Sequence, residues 1–241
     1  MLNNPKTRLL LILSAIFISS AITAELISSK VFILPLVFGS LDLGSYPAVV
    51  GILPWPVVFL TTDIINEFYG RKTVRFLSVL TCFMIAFAFV LVFLAMQFKT
   101  ILPSPTDAEY AAVFGQSLWI IIGSIVAFLV SQLLDSTVFW WLKNKTGNRF
   151  IWLRSTGSTL ISQLIDTFIV LYIGFVLPGK LPENASFLEI GFTNYLLKML
   201  IALLLTPLIY LVHFIIEKYL GDSASHLQEE QARDESLNEE L

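Results

Sequence analysis

Val57-Val58-Phe59-Leu60-Thr61-Thr62-Asp63-Ile64-Ile65-Asn66-Glu67-Phe68-Tyr69-Gly70-Arg71-Lys72 starts as an apolar run and ends on two basic residues, with two carboxylates and an amide between. At helical spacing Asp63, Asn66 and Glu67 share one face, since residues three and four apart sit above one another. Carboxylates at i and i+4 repel, and more strongly where the dielectric is low. Such a face needs a cation, a proton or a hydrogen-bonding ligand. How the rest of the chain reads depends on whether this stretch lies in a bilayer.

Composition places it there. The chain has 241 residues, of which 56% are hydrophobic and 14% charged, with a mean hydropathy of +0.79. A soluble domain carries about 25% charged residues. Crossing a bilayer takes about 20 apolar residues in a helix. Six stretches qualify, near 8–24, 46–69, 74–97, 117–142, 158–177 and 194–216. The expected fold class is therefore an all-α polytopic membrane protein with six transmembrane helices. Lys6 and Arg8 before an apolar run, with Ser19-Ser20-Ala21 after it, imitate a secretory signal. The run is long for one, and the charge pattern needs this helix retained.

Basic residues orient the spans. Lys6 and Arg8, then Arg71, Lys72 and Arg75, then Lys143, Lys145, Arg149 and Arg154, then Lys218 fall in alternate connections, whereas the others hold little beyond Lys30, Lys99 and Lys180. Basic connections stay in the cytoplasm, so both termini are expected inside. Trp119, Trp140, Trp141 and Trp152 stand at expected helix ends, as interfacial anchors do. Between the first two spans the first helix is expected to extend, and the apolar residues that follow, interrupted by Pro35, Gly39 and Gly44, suggest a re-entrant or surface segment. Pro54-Trp55-Pro56 should interrupt or kink the second span. Residues 1–220 then form the transmembrane domain, and 221–241, with seven acids and one arginine, a disordered cytoplasmic tail.

Intramembrane charges usually face inward and mark function. Here they are Asp63, Glu67, Asp135, Asp166 and Lys198. Ser131-Gln132-Leu133-Leu134-Asp135-Ser136 is echoed by Ser162-Gln163-Leu164-Ile165-Asp166-Thr167 on the next span, which runs the other way. The two copies should face each other. A shared pocket of Asp63, Asn66, Glu67, Gln132, Asp135, Gln163 and Asp166 follows, with Trp55, Tyr69, Arg154, Lys198 and Lys30 as secondary candidates. Internal pairing is the alternative for each acid, Glu67 with Arg71 above all. Carboxylates accept paired N–H donors, and amides both donate and accept. The set suits a planar polar heterocycle or a cationic amine.

Enzyme signals fail. Gly174-Phe175-Val176-Leu177-Pro178-Gly179-Lys180-Leu181 nearly spells a phosphate loop, but Leu181 replaces the magnesium-binding hydroxyl. His213 and His226 are far apart, which argues against a zinc site or a triad. No metal or cofactor is expected. Asn184-Ala185-Ser186 matches a glycosylation acceptor, a pattern of little weight.

Asp63-Ile64-Ile65-Asn66-Glu67-Phe68-Tyr69-Gly70-Arg71-Lys72 closely resembles the queuosine precursor transporter family (YhhQ-like, or VUT). The resemblance continues through Ser124-Ile125-Val126-Ala127-Phe128, Gln132 with Asp135, Arg154-Ser155-Thr156, and Ser162-Gln163 with Asp166-Thr167, to Lys198 and Pro207. Ser29 precedes Lys30 where an asparagine is expected. The resemblance implies an inner-membrane importer of 7-deazaguanine precursors of queuosine. Its partners would be the lipid bilayer and a small 7-deazapurine, with no nucleic acid, and a homo-oligomer is compatible. The competing expectation is a substrate-binding subunit for a vitamin-like heterocycle, energised by a separate ATPase module.

Overall fold

A computed structural model describes residues 4–38, 41–147, 150–179, 181 and 186–221. Lys180, Asn184 of the glycosylation pattern and the acidic tail beyond Gly221 lie outside them. Helix α1 (Pro5–Ile27) starts where Asn4 accepts a 3.0 Å hydrogen bond from the Lys6 amide and Pro5 occupies a position that needs no N–H. Strands β1 (Val31–Phe38) and β2 (Leu41–Val49) follow, then a short 3-10 turn (Val50–Ile52). The remaining helices are α2 (Trp55–Ala95), α3 (Asp107–Phe114), α4 (Leu118–Thr146), α5 (Ile151–Leu171, extended by a π-helical turn, Tyr172–Val176) and α6 (Phe187–Leu220). Among the described residues, five stretches are long and apolar enough to cross a membrane: Pro5–Ile27, Val50–Ala95, Asp107–Thr146, Ile151–Val176 and Phe187–Leu220.

Three expectations change. The segment after α1 is an antiparallel hairpin, with Val31 opposite Val49 and Leu34 opposite Tyr46 and an irregularity between Pro35 and Val37. Among the described residues the two strands have no further ladder partners on their outer edges, an arrangement lipid does not tolerate, which favours a surface position over a re-entrant one. The second expected span does not start at Tyr46, which is in β2; its helix starts at Trp55. Pro54-Trp55-Pro56 accordingly launches α2 and does not kink it, because proline is at home in a first helical turn. The break lies at Gly70, whose φ of 79° and ψ of 169° only glycine adopts readily.

Contacts to α4 show what Gly70 does. Before it, Thr62 lies against Gln132, Asn66 against Ser136 and Glu67 against Lys143, so the two chains advance together. After it, Arg75 meets Thr137 and Cys82 meets Ile125, so α2 runs backwards along α4. The helix turns back on itself at this residue. Helices α4 and α5 are antiparallel neighbours, as are α5 and α6, and α1 packs on α2.

Basic residues from alternate connections gather at one end. The Tyr69 hydroxyl donates to the Lys6 carbonyl (2.8 Å), Lys143 and Arg154 both meet Glu67, and the His213 ring lies 5.1 Å from that of Phe68. Lys143 is 8% exposed, so it is a structural cation and not only a topological marker. Trp119, Trp141 and Trp152 face outward as anchors should, but Trp140 is buried beneath Lys143. Apolar side chains cover the outside: Phe83 on α2 is 67% exposed and Leu204 on α6 is 64%, whereas Asn66 is 0%. Apolar exterior over polar interior is the arrangement of a multi-pass membrane protein.

Candidate functional site

A ladder of polar side chains runs through the bundle along α4. Its ends, Ser124 and Lys143, are 19 residues apart, about 28 Å at the helical rise, close to the thickness of a bilayer's hydrocarbon core. Its middle is built by the echoed sequence. Ser131 donates to Asp166 (3.3 Å) and Ser162 donates to Asp135 (3.1 Å), so each copy's serine serves the other copy's aspartate. The symmetry follows from antiparallel pairing, in which 131 meets 166 where 135 meets 162. The copies face each other, as their spacing suggested, in direct contact.

The first arm of α2 supplies the next rungs. Thr62 points its hydroxyl at the Gln132 side-chain carbonyl (3.4 Å), Asp63 accepts a hydrogen bond from Ser155, and Asn66 donates to the Ser136 carbonyl (3.4 Å). Thr156 and Thr206 join α5 to α6 through their hydroxyls at 2.9 Å. Gln163 is buried on α5, two turns beyond Thr156. Glu67 closes the ladder. Its Oε1 accepts from Arg154 Nη2 at 2.7 Å, and Lys143 Nζ lies 3.4 Å from Oε2 while donating to the Glu67 backbone carbonyl. Arg154 also donates to the Gly147 carbonyl at 2.7 Å. These two cations answer the charge of Glu67.

Cavities adjoin both ends. The larger, about 480 Å³, lies away from the basic end. Asp166 and Lys198 stand in its wall as an ion pair of 2.6 Å, with Trp55 on the α2 side and Asn194 one turn from Lys198 on α6. Gly191 makes this possible: a Cβ there would fall 2.4 Å from the Phe168 ring, so α6 can approach α5 closely only without one. The other wall is the last turn of α1. Glu25, 5% exposed, accepts a 2.7 Å hydrogen bond from Ser124, and Gln116 donates to the Glu25 carbonyl at 2.8 Å. Gly51 lets the 3-10 turn press onto this helix end, since a Cβ would meet the Ala24 carbonyl at 2.6 Å. At the basic end a cavity of about 290 Å³ is lined by Glu67, Arg154, Tyr210, His213 and Glu217 among others. A third, of about 20 Å³, lies beside Asp63 and Ser155 and is large enough for a single water.

Of the residues singled out from sequence, Asp166, Lys198 and Trp55 line the large cavity, and Glu67 and Arg154 line the one at the basic end. Asp63, Asn66, Gln132, Asp135 and Gln163 lie between, packed in the ladder. Tyr69 ties α2 to the start of α1, and Lys30 is exposed and lines none of these cavities. Sequence reasoning missed Glu25, Gln116 and Asn194. The signal for Glu25 is an acid directly after an apolar run, Ala24-Glu25, on the extension of the first helix, which the structure carries to Ile27.

A family described as "Putative vitamin uptake transporter" matches residues 49–212. A protein of Bacillus subtilis (strain 168) named "Probable queuosine precursor transporter" is 31% identical over 181 residues, covering 71% of this chain and 74% of its own. One of the same name from Haemophilus influenzae is 26% identical over 166 residues, covering 67% of this chain and 66% of its own. No solved structure matches. An inside-out bundle with a charged ladder and a cavity at each end is transporter architecture, and the chain belongs to the queuosine precursor transporter family.

Proposed function

We propose that this protein imports 7-deazaguanine precursors of the tRNA nucleoside queuosine, the cyano base preQ0, the aminomethyl base preQ1 or the related base queuine, across the bacterial inner membrane. The names of its relatives support the substrate class. The observation that carries the reading is the cavity of about 480 Å³ holding the Asp166–Lys198 pair beside Trp55. Its size falls in the range of small-molecule sites, and its polar groups are few and placed among apolar ones. A flat base stacks on an indole, while a carboxylate and an ammonium meet opposite hydrogen-bonding edges.

From that cavity the base passes along the ladder, with Asp63, Asn66, Gln132, Asp135 and Gln163 as successive partners, and leaves past Glu67 and Arg154. The ladder is closed in this conformation, so transport needs its helices to part. The two arms of α2 count as separate crossings, giving six spans in residues 1–220 with both termini in the cytoplasm. The gathering of basic residues at one end supports that orientation.

The test uses a bacterium unable to make the precursors. With this chain expressed, nanomolar preQ0 or preQ1 in the medium restores queuosine to tRNA. Asp166→Asn and Gln132→Ala each reduce the restoration at least about tenfold, the loss expected for a hydrogen bond to a charged or buried group. No restoration by the wild-type chain sinks the substrate, and full restoration by both variants sinks the shared path.

A further inference from the structure

We propose that Glu25, held by Ser124, is the carboxylate that reads paired N–H donors on the ligand, a ring N–H beside an exocyclic amine. The proposal rests on the substrate class proposed above and adds the residue and the edge it recognises.

The acids of the ladder either face cations or lie packed away from the large cavity, where Asp63 Oδ1 is buried without a partner. Glu67 faces Arg154 and Lys143, Asp166 faces Lys198 and Ser131, and Asp63 and Asp135 face the hydroxyls of Ser155 and Ser162. Glu25 differs in lining the large cavity with only one neutral donor, Ser124 on its Oε2. Among the described residues its Oε1 has no hydrogen-bond partner, and no cation lies within ion-pair distance of it. An ionised carboxylate has about four acceptor sites, of which Ser124 occupies one, so both oxygens remain open to a bidentate partner.

The surroundings fix the geometry. Gln116 holds the Glu25 carbonyl and Gly51 lets the 3-10 turn seat against the same helical turn, so the carboxylate is carried on a braced backbone. Across the cavity Lys198 presents an ammonium already oriented by Asp166. Two carboxylates and one ammonium leave an excess of acceptors, which selects a ligand rich in N–H donors with a single carbonyl for Lys198. A sugar has no such paired edge, and an anion would be repelled.

The test is binding by the purified chain of two 7-deazapurines that differ only in the 2-amino group, 7-deazaguanine and 7-deazahypoxanthine. The wild-type chain should prefer the amino base by about 10- to 100-fold, the worth of a hydrogen bond to a charged group. Glu25→Gln keeps the side-chain volume but replaces one acceptor by a donor, and it should cut the preference to under about threefold. Ser124→Ala should weaken it several-fold while the chain still elutes as one monodisperse species, which serves if the Glu25 variant fails to fold. A preference unchanged in both variants overturns the role of Glu25 and leaves the substrate class standing. Binding of neither base by the wild-type chain overturns the substrate class, and this proposal with it.

Discussion

Glu67→Gln is the most informative structural perturbation. Arg154 is 1% exposed and Glu67 3%, and Lys143 reaches the same carboxylate while itself 8% exposed. Neutralising Glu67 leaves two buried cations facing an amide. Removing one member of a buried ion pair costs about 3–5 kcal/mol, because the partner keeps its desolvation penalty and loses its compensation. Scaled as for a soluble domain of 150–250 residues, that is a fall in Tm of about 6–20 °C. The assay is thermal unfolding of detergent-solubilised protein, carried through a double-mutant cycle with Arg154→Met. Each single variant should be destabilised, and the double variant should recover part of the loss, giving an interaction energy of about 1–3 kcal/mol. A Glu67→Gln variant within about a degree of wild type, or a double variant no more stable than the worse single, would refute the claim that these charges hold the basic end of the bundle together.

Gly70→Ala should destabilise by about 1–3 kcal/mol, because φ 79° with ψ 169° is closed to a residue bearing a Cβ; the same thermal assay reads it. Lys198→Met should lower precursor uptake more than Lys198→Arg, and Asp166→Asn on top of it should add little further loss, since the two residues act as one pair. Gly191→Ala should cost about 1–3 kcal/mol by pressing α6 away from Phe168, and Phe168→Leu should return part of it, read as Tm. Ending the chain after Gly221 should leave uptake unchanged, which removes only the acidic segment.

Much of the bundle could be read from residue types because lipid imposes simple rules. Apolar length marks the crossings, and basic residues such as Lys143 and Arg154 mark one end. The Ser-Gln-x-x-Asp echo was informative for a geometric reason: antiparallel helices carrying the same spacing must bring each serine to the other's aspartate. Positions set by backbone packing were harder. Pro54-Trp55-Pro56 looks like a kink in a hydropathy profile that continues back to Tyr46, and only the hairpin reveals that the helix starts there. Gly70 looks like an ordinary loop glycine before Arg71 and Lys72, although its dihedral angles reverse α2. Glu25 was hidden because its partners, Ser124 and Gln116, are about ninety to a hundred residues away, and nothing local shows that they meet it. The part proposed for each rung in moving a substrate depends on a second conformation, which residue spacing does not encode.

The most direct test of the central claim is accumulation of labelled preQ0 or preQ1 by liposomes containing this purified chain and no other protein. Saturable uptake, competed by unlabelled 7-deazaguanine and lost in Asp166→Asn, is the predicted result. Liposomes that take up neither base beyond protein-free controls would contradict transport by this chain alone.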